Sequence, residues 1–322
     1  MKTEGASGRT RKMNIRDYTV YIAFVAFFLI FTITLRNVGN GFANPNNLMN
    51  ILRQTCLSAV MSVGMCCVIG AGQIDLSIGY VVGLSSVLTA MALNSWGIVP
   101  AILVGLAVGF VAGAVNGFLI AYLKLPAFLA TLGTQMIWQG ASRTISHLKA
   151  ISIVNETFIN IFGGGNIGMV PVLFVWMLVI CVIGWIVLNK TSFGRKVLAV
   201  GGNARSAKYS GINIERVQMA VMIISGVLAA LAGILWTGRF GGGRYSLGET
   251  SGTDVIAATV LGGASMAGGK ASIAGAVFGS ILIGMLNNAL VMYGLDTHQQ
   301  MMISGLVIIL AVAVTIKHEP LK

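Results

Sequence analysis

Charge is the scarcest property of this chain. Only 9% of its 322 residues are Asp, Glu, Lys or Arg, whereas soluble domains average roughly 25%, so a soluble globular protein is excluded. Acidic groups are the rarest, nine against 21 Lys and Arg. The four cysteines, Cys56, Cys66, Cys67 and Cys181, fall inside apolar stretches. None has metal-ligand spacing or an accompanying histidine cluster, so they read as helix-packing residues and no metal or cofactor is expected. Catalytic motifs are missing too. Gly268-Gly269-Lys270-Ala271-Ser272 resembles a phosphate loop, but Ala264 replaces the required glycine and neither Ser nor Thr follows the lysine. With no serine elbow, zinc motif or acid pair either, no residue is assigned a catalytic role, and the chain is not expected to hydrolyse nucleotide alone.

What remains is apolar. Hydrophobic residues make up 56% of the chain, with 42 glycines and a mean hydropathy of +0.86. Runs of about 20 apolar residues fit membrane-spanning helices, and the alternating short segments of a β-barrel are absent. The expected fold is an all-α polytopic membrane protein. About ten transmembrane helices are predicted, near 18–35, 48–70, 76–94, 98–121, 127–146, 170–188, 217–237, 254–268, 271–293 and 301–316. Together they form one domain, 18–316, between a basic N-terminal segment, 1–17, and a tail, 317–322.

The net charge of +12 fits membrane orientation better than nucleic-acid binding, because basic residues gather on the cytoplasmic side. Segments 1–17, 189–216 and 317–322 carry the excess, so both termini and the 189–216 loop are expected in the cytoplasm. The first apolar run is longer than a signal h-region and Arg36-Asn37 follows it, so it reads as an uncleaved span. The nearly neutral connection 147–169 falls outside.

Internal similarity suggests a five-plus-five inverted repeat. Asp75 precedes Gly83 by eight residues, as Asp254 precedes Gly262. The stretch from Gly113 through Asn116 to Ile120 resembles that from Gly284 through Asn287 to Val291. Gly105, Gly109, Gly113 and Gly117 recur every four residues, a stripe where a second helix can approach closely. Packing within the chain is favoured over a seam between copies.

Ionisable and amide side chains inside spans are functional candidates. Asp75 and Asp254 each sit where a span begins, where a carboxylate can also serve the helix N-terminus. Asn116, Gln135, Asn287 and Asn288 supply neutral hydrogen-bonding groups suited to a hydroxyl-rich solute, with interhelical bonding as the alternative for each. These six are the candidate translocation pathway.

The one long polar stretch in the interior, Thr191 to Ile212, must meet something in water. Its glycines suggest sharp turns around a short helix near 203–210.

These blocks resemble the membrane permeases of bacterial sugar ABC importers, the ribose, galactose, arabinose and xylose systems. The resemblance is carried by Gly72-Gln73-Ile74-Asp75-Leu76-Ser77 and by Asn116-Gly117-Phe118-Leu119 with Leu125-Pro126. It is carried further by Phe193-Gly194-Arg195, Gly201-Gly202-Asn203 and Ser210-Gly211-Ile212, and finally by Asp254 through Ala258 with Leu261 through Ser265. It implies a pore-forming subunit in the inner membrane for a monosaccharide such as ribose. A second permease copy or homologue pairs with it, and a periplasmic binding protein delivers the sugar. A cytoplasmic ATPase would dock on the loop through Phe193, Gly194, Arg195, Gly201, Gly202, Asn203, Arg205, Ser210 and Gly211. Autoinducer-2, a polyol, a nucleoside or a branched-chain amino acid are alternative cargoes of the same machinery. An ion-coupled secondary transporter using Asp75 and Asp254 is the alternative of a different class. The chain departs from the family at Gly252, where a glutamate is common.

Overall fold

The computed structural model describes residues 19–316. The expectations for 1–17 and for the tail 317–322 lie outside these residues. Thirteen α-helices and two small two-stranded sheets follow one another along the described chain. The helices α1 (Thr19–Thr34), α2 (Pro45–Gly70), α3 (Ile78–Trp96), α4 (Ile98–Ala121) and α5 (Ala127–Ser146) come first. The connection that follows holds β1 (Ile151–Ser152), α6 (Glu156–Phe162), β2 (Asn166–Ile167) and β3 (Val170–Pro171). Then come α7 (Val172–Lys190), α8 (Ser192–Gly202), α9 (Ala204–Tyr209), α10 (Ile214–Phe240), β4 (Gly242–Gly243), α11 (Ser251–Leu261), α12 (Ile273–Met292) and α13 (Thr297–Ile316).

Each of the ten expected segments contains a helix. Among the described residues, six helices (α2, α3, α4, α7, α10 and α12) are long and apolar enough to cross a membrane, and α1 and α11 are shorter apolar helices. This is a multi-pass membrane protein.

Helix α2 is the buried axis, 78% of its apolar window enclosed. It packs on α7, α10, α11 and α12, while the similarly long α10 packs also on α3 and α4. The glycine stripe of α4 explains the closeness of the second group. A Cβ on Gly109 would strike the carbonyl of Gly226, and one on Gly113 would meet the Ile223 backbone at 2.6 Å. Without side chains on that face, α4 and α10 touch backbone to backbone.

The eighth expected span is not a continuous helix. Its helix, α11, is shorter than the predicted 254–268, because Gly262 closes it and Gly263 follows at φ +95°. At 1.5 Å per residue its 11 residues reach only about 16 Å, half of a bilayer core of about 30 Å. The non-helical stretch 241–250 that precedes it is laid along α3. Gly243 sits against the Ser86 carbonyl, Gly83 against that of Tyr245 and Gly79 against that of Gly248. Non-helical backbone is tolerated at membrane depth where protein encloses it, and Gly242, Gly243 and Gly248 of this stretch are buried. The β1–β4 pair ties its start to the 147–169 connection.

Candidate functional site

The projection formed by α8 and α9 is the most polar feature of the bundle. Thr191 caps α8 by accepting the Gly194 N–H at 3.3 Å, and Asn203 caps α9 by accepting that of Ser206 at 2.9 Å. Asn213 does the same for α10 with Arg216 at 2.8 Å. These short side chains satisfy helix-end donors that otherwise need water. Arg195, Lys196, Arg205 and Lys208 are exposed, Tyr209 is 86% exposed, and Phe193 is half-buried. Ser210 folds back to donate to the Ser206 carbonyl at 3.0 Å.

The glycines here are not the turns expected of them. Gly194, Gly201 and Gly202 lie inside helix α8, and of the four only Gly211 has a positive φ, +79°. Gly194 is needed because the Leu188 carbonyl occupies the place of its Cβ. Gly201 touches the ends of two other elements. Its missing side chain would fall on the Gly70 carbonyl and lie 2.7 Å from the Gly269 nitrogen. Gly269 N–H donates to the Gly70 carbonyl at 3.0 Å, and Gly268 and Gly269 take φ of +82° and +77°. The end of α8, the end of α2 and the loop between α11 and α12 therefore meet at direct backbone contacts, with the side chains of Val197, Leu198 and Ala271 packed beside Gly70.

Near mid-bundle, Asp75 is buried within a chain of polar groups. One oxygen accepts from the Ser77 N–H at 3.0 Å and hydroxyl at 2.7 Å; the other accepts from Ser225 of α10 at 2.8 Å. Ser77 in turn accepts from Asn116 at 2.8 Å, and Asn116 accepts from Thr134 of α5 at 2.6 Å. Four elements are joined this way, and every polar partner of the carboxylate is protein. Asp75 holds the turn entering α3 rather than capping the helix, which starts at Ser77 without a side-chain cap.

A cavity of about 210 Å³ opens between α2, α10, α11 and α12. Gln54, Thr55 and Ser58 line it from α2, and Ser280, Ile283, Gly284 and Asn287 from α12. The break before α11 contributes Thr250, the first turn of α11 Ser251 and Asp254, and α10 Trp236. It lies in the half of the bundle away from α8 and α9.

Of the six pathway candidates, only Asp254 and Asn287 reach this cavity. Asp254 makes no hydrogen bond or ion pair among the described residues, whereas Asn287 accepts from Ser304 at 2.8 Å. Asp75 and Asn116 belong to the buried network. Asn288 pairs reciprocally with Asn47 at 3.0 and 3.1 Å, pinning α12 to the start of α2. Gln135 is half-buried on α5, away from the cavity. The α2 lining escaped sequence reading, although Gln54, Ser58 and Ser62 recur every four residues and so share one helix face.

At the far end of the bundle lies a cationic rim. Arg143 pairs with Glu249 at 3.0 Å and stands over Tyr245; Arg239 and Arg244 stand over Phe240.

The family model of the branched-chain amino acid transport system permease component matches residues 47–312, the whole bundle from α2 almost to the end of α13. The chain belongs to this permease family. The permease is similar over nearly its full length to curated relatives. It is 37% identical to the ribose import permease protein of Bacillus subtilis over 314 residues, 97% of this chain and 98% of that one. With the ribose import permease protein of Escherichia coli K12 the identity is 34% over 326 residues, 99% and 100% of the two chains. The xylose transport system permease protein of the same strain is 29% identical over 374 residues, covering 96% of the permease and 94% of the relative. No solved structure matches the permease.

Proposed function

We propose that this chain is the pore-forming subunit of an ATP-driven importer for a monosaccharide of the ribose type, in the bacterial inner membrane. The observation that carries the proposal is full-length similarity to ribose import permeases in a chain whose polar projection α8–α9 is built and capped as a docking surface. It has no nucleotide motif of its own, so the energy must come from a partner.

In this reading α8 and α9 face the cytoplasm and seat the ATPase. Arg195, Arg205 and Lys208 present charge, Phe193 and Tyr209 present aromatic surface, and Asn203, Ser210 and Gly211 hold the two helices in register. Gly194, Gly201 and Gly202 let α8 lie against the bundle. Both termini share that side, and ten spans cross the membrane in one domain. The opposite rim, with Arg143, Arg239 and Arg244, receives the loaded binding protein. A second copy or a homologue completes the pore.

Two parallels support the five-plus-five repeat. Gly113 of α4 gives room to α10, and its counterpart Gly284 of α12 gives room to Thr55 of α2. Helices α3 and α11 are both preceded by non-helical backbone at depth. The aspartates do not correspond locally, since Asp75 precedes its helix and Asp254 lies within the first turn.

On the pathway, Asp254 and Asn287 contact the solute, while Asp75, Asn116 and Asn288 hold the helices that surround it. Gln135 faces the seam with the second copy. The decisive experiment is purification in mild detergent with mass spectrometry of retained proteins, combined with ribose uptake by cells lacking the chain. Retention of an ATPase and loss of uptake on deletion are expected. A bare homo-oligomer whose uptake collapses with the ion gradient overturns the reading in favour of a secondary transporter.

A further inference from the structure

We infer that the cavity between α2, α10, α11 and α12 is a discrete sugar-binding station inside a single permease chain, occupied by one neutral monosaccharide. The inference rests on the importer reading and adds to it a saturable site separate from any seam between copies.

Size limits the occupant first. At about 210 Å³ the cavity is smaller than the 300–1,000 Å³ of pockets for drug-sized ligands, so it takes a single small ring and not an oligosaccharide. Charge limits it next. The lining carries one carboxylate, Asp254, and no Lys, Arg or His. An anionic solute such as a sugar phosphate would face that carboxylate with no cation to offset it, and burying an unpaired charge is costly. A neutral polyhydroxyl compound meets the opposite situation. Its hydroxyls donate to Asp254, which has no partner among the described residues, and a hydrogen bond to a charged acceptor is stronger than a neutral one. Gln54 contributes both donor and acceptor groups.

Shape completes the match. Trp236, Ile283 and Gly284 place apolar surface beside the polar groups, and one face of a sugar ring is made of C–H bonds. An aromatic ring set among hydrogen-bonding side chains offers both surfaces a monosaccharide presents. The site also has a floor. Ser280 lines the cavity and is bonded to Ser62 of α2 at 2.7 Å. Ser62 is fully buried and lies one helical turn beyond Ser58, so the station is closed toward α8.

The test is equilibrium binding of radiolabelled D-ribose to the permease–ATPase complex in lipid nanodiscs, without the binding protein. Saturable binding is expected, displaced by D-xylose and not by D-ribose 5-phosphate. Asp254→Asn should weaken affinity about tenfold, the loss of one charge-assisted hydrogen bond. Ser58→Phe should abolish binding by filling the space. Both variants should keep the ATPase and the wild-type melting temperature. Absence of saturable binding in the wild-type complex, or wild-type affinity in both variants, overturns the inference. Either result leaves the importer reading standing, since that reading falls on a different outcome, a bare homo-oligomer without ATPase whose uptake collapses with the ion gradient.

Discussion

Ser62 of α2 and Ser280 of α12 share a buried hydrogen bond of 2.7 Å, and it joins the two helices just where the cavity ends. The pair is asymmetric. Ser280 also donates to the Ala276 carbonyl at 3.0 Å, so it keeps a partner if Ser62 is lost. Ser62→Ala should therefore cost only about 1 kcal/mol. A small drop in thermal unfolding temperature of the purified chain, with ATPase retention unchanged, is the expected result. Failure to accumulate in the membrane would show that the hydroxyl does more than close the floor.

Gly201 and Gly202 are neighbours with opposite expectations. A methyl group at 201 collides with the Gly70 carbonyl, while one at 202 has only the Gly269 Cα, at 3.7 Å. Overpacking of this kind costs about 1–3 kcal/mol. Gly201→Ala should reduce sugar uptake by about tenfold or more, with the ATPase still bound, and Gly202→Ala should transport normally. Equal activity of the two variants in a vesicle uptake assay would remove any role for the contact.

Asp75 separates a structural carboxylate from a transporting one. Asp75→Ala removes the acceptor of three hydrogen bonds, and each buried group left unsatisfied costs about 1–3 kcal/mol. Low yield and an aggregated elution profile are expected. Asp75→Asn keeps an oxygen for Ser77 and should support near-normal uptake. If the asparagine variant folds but does not transport, the carboxylate takes part in coupling.

Two helical glycines test the packing of α4 against the open face of α5. Gly109→Ala must push against Gly226, whereas nothing lies within 4 Å of a Cβ at Gly140. The first should destabilise the chain by about 1–3 kcal/mol. The second should leave it unchanged or raise its stability by up to about 1 kcal/mol, as Ala in place of Gly within a helix usually does. Melting curves in detergent decide both.

Hydropathy made the long helices legible, since α4 and α7 are apolar for nearly their whole length, Asn116 and the terminal Asn189-Lys190 apart. The glycine stripe of α4 was legible for a related reason, because a four-residue spacing has one structural meaning on a helix. Helix α8 was not, because glycine carries two meanings. Gly194 and Gly201 could serve turns or close contacts, and only the positions of Leu188 and Gly70 decide between them. Asp75 and Asp254 looked alike in sequence, each opening a span. Their difference lies in what surrounds them: Ser77 and Ser225 enclose the first, and the break before α11 leaves the second facing open space. The polar residues of α2 drew no reading because a span tolerates them for packing or for lining alike until α11 and α12 are in place.

The joint at Gly70, Gly201 and Gly269 sets how the permease answers a push from outside the membrane. Side chains between two helices act as springs, since they can change rotamer and absorb a small displacement. Here Gly201 bears main chain on main chain against Gly70 and Gly269, with Val197 and Leu198 only flanking the contact. Along that contact a shift of α8 passes with little give to α2 and the loop leading to α12, the two helices that form most of the cavity wall. The least decorated residues of the chain make it stiff along one line.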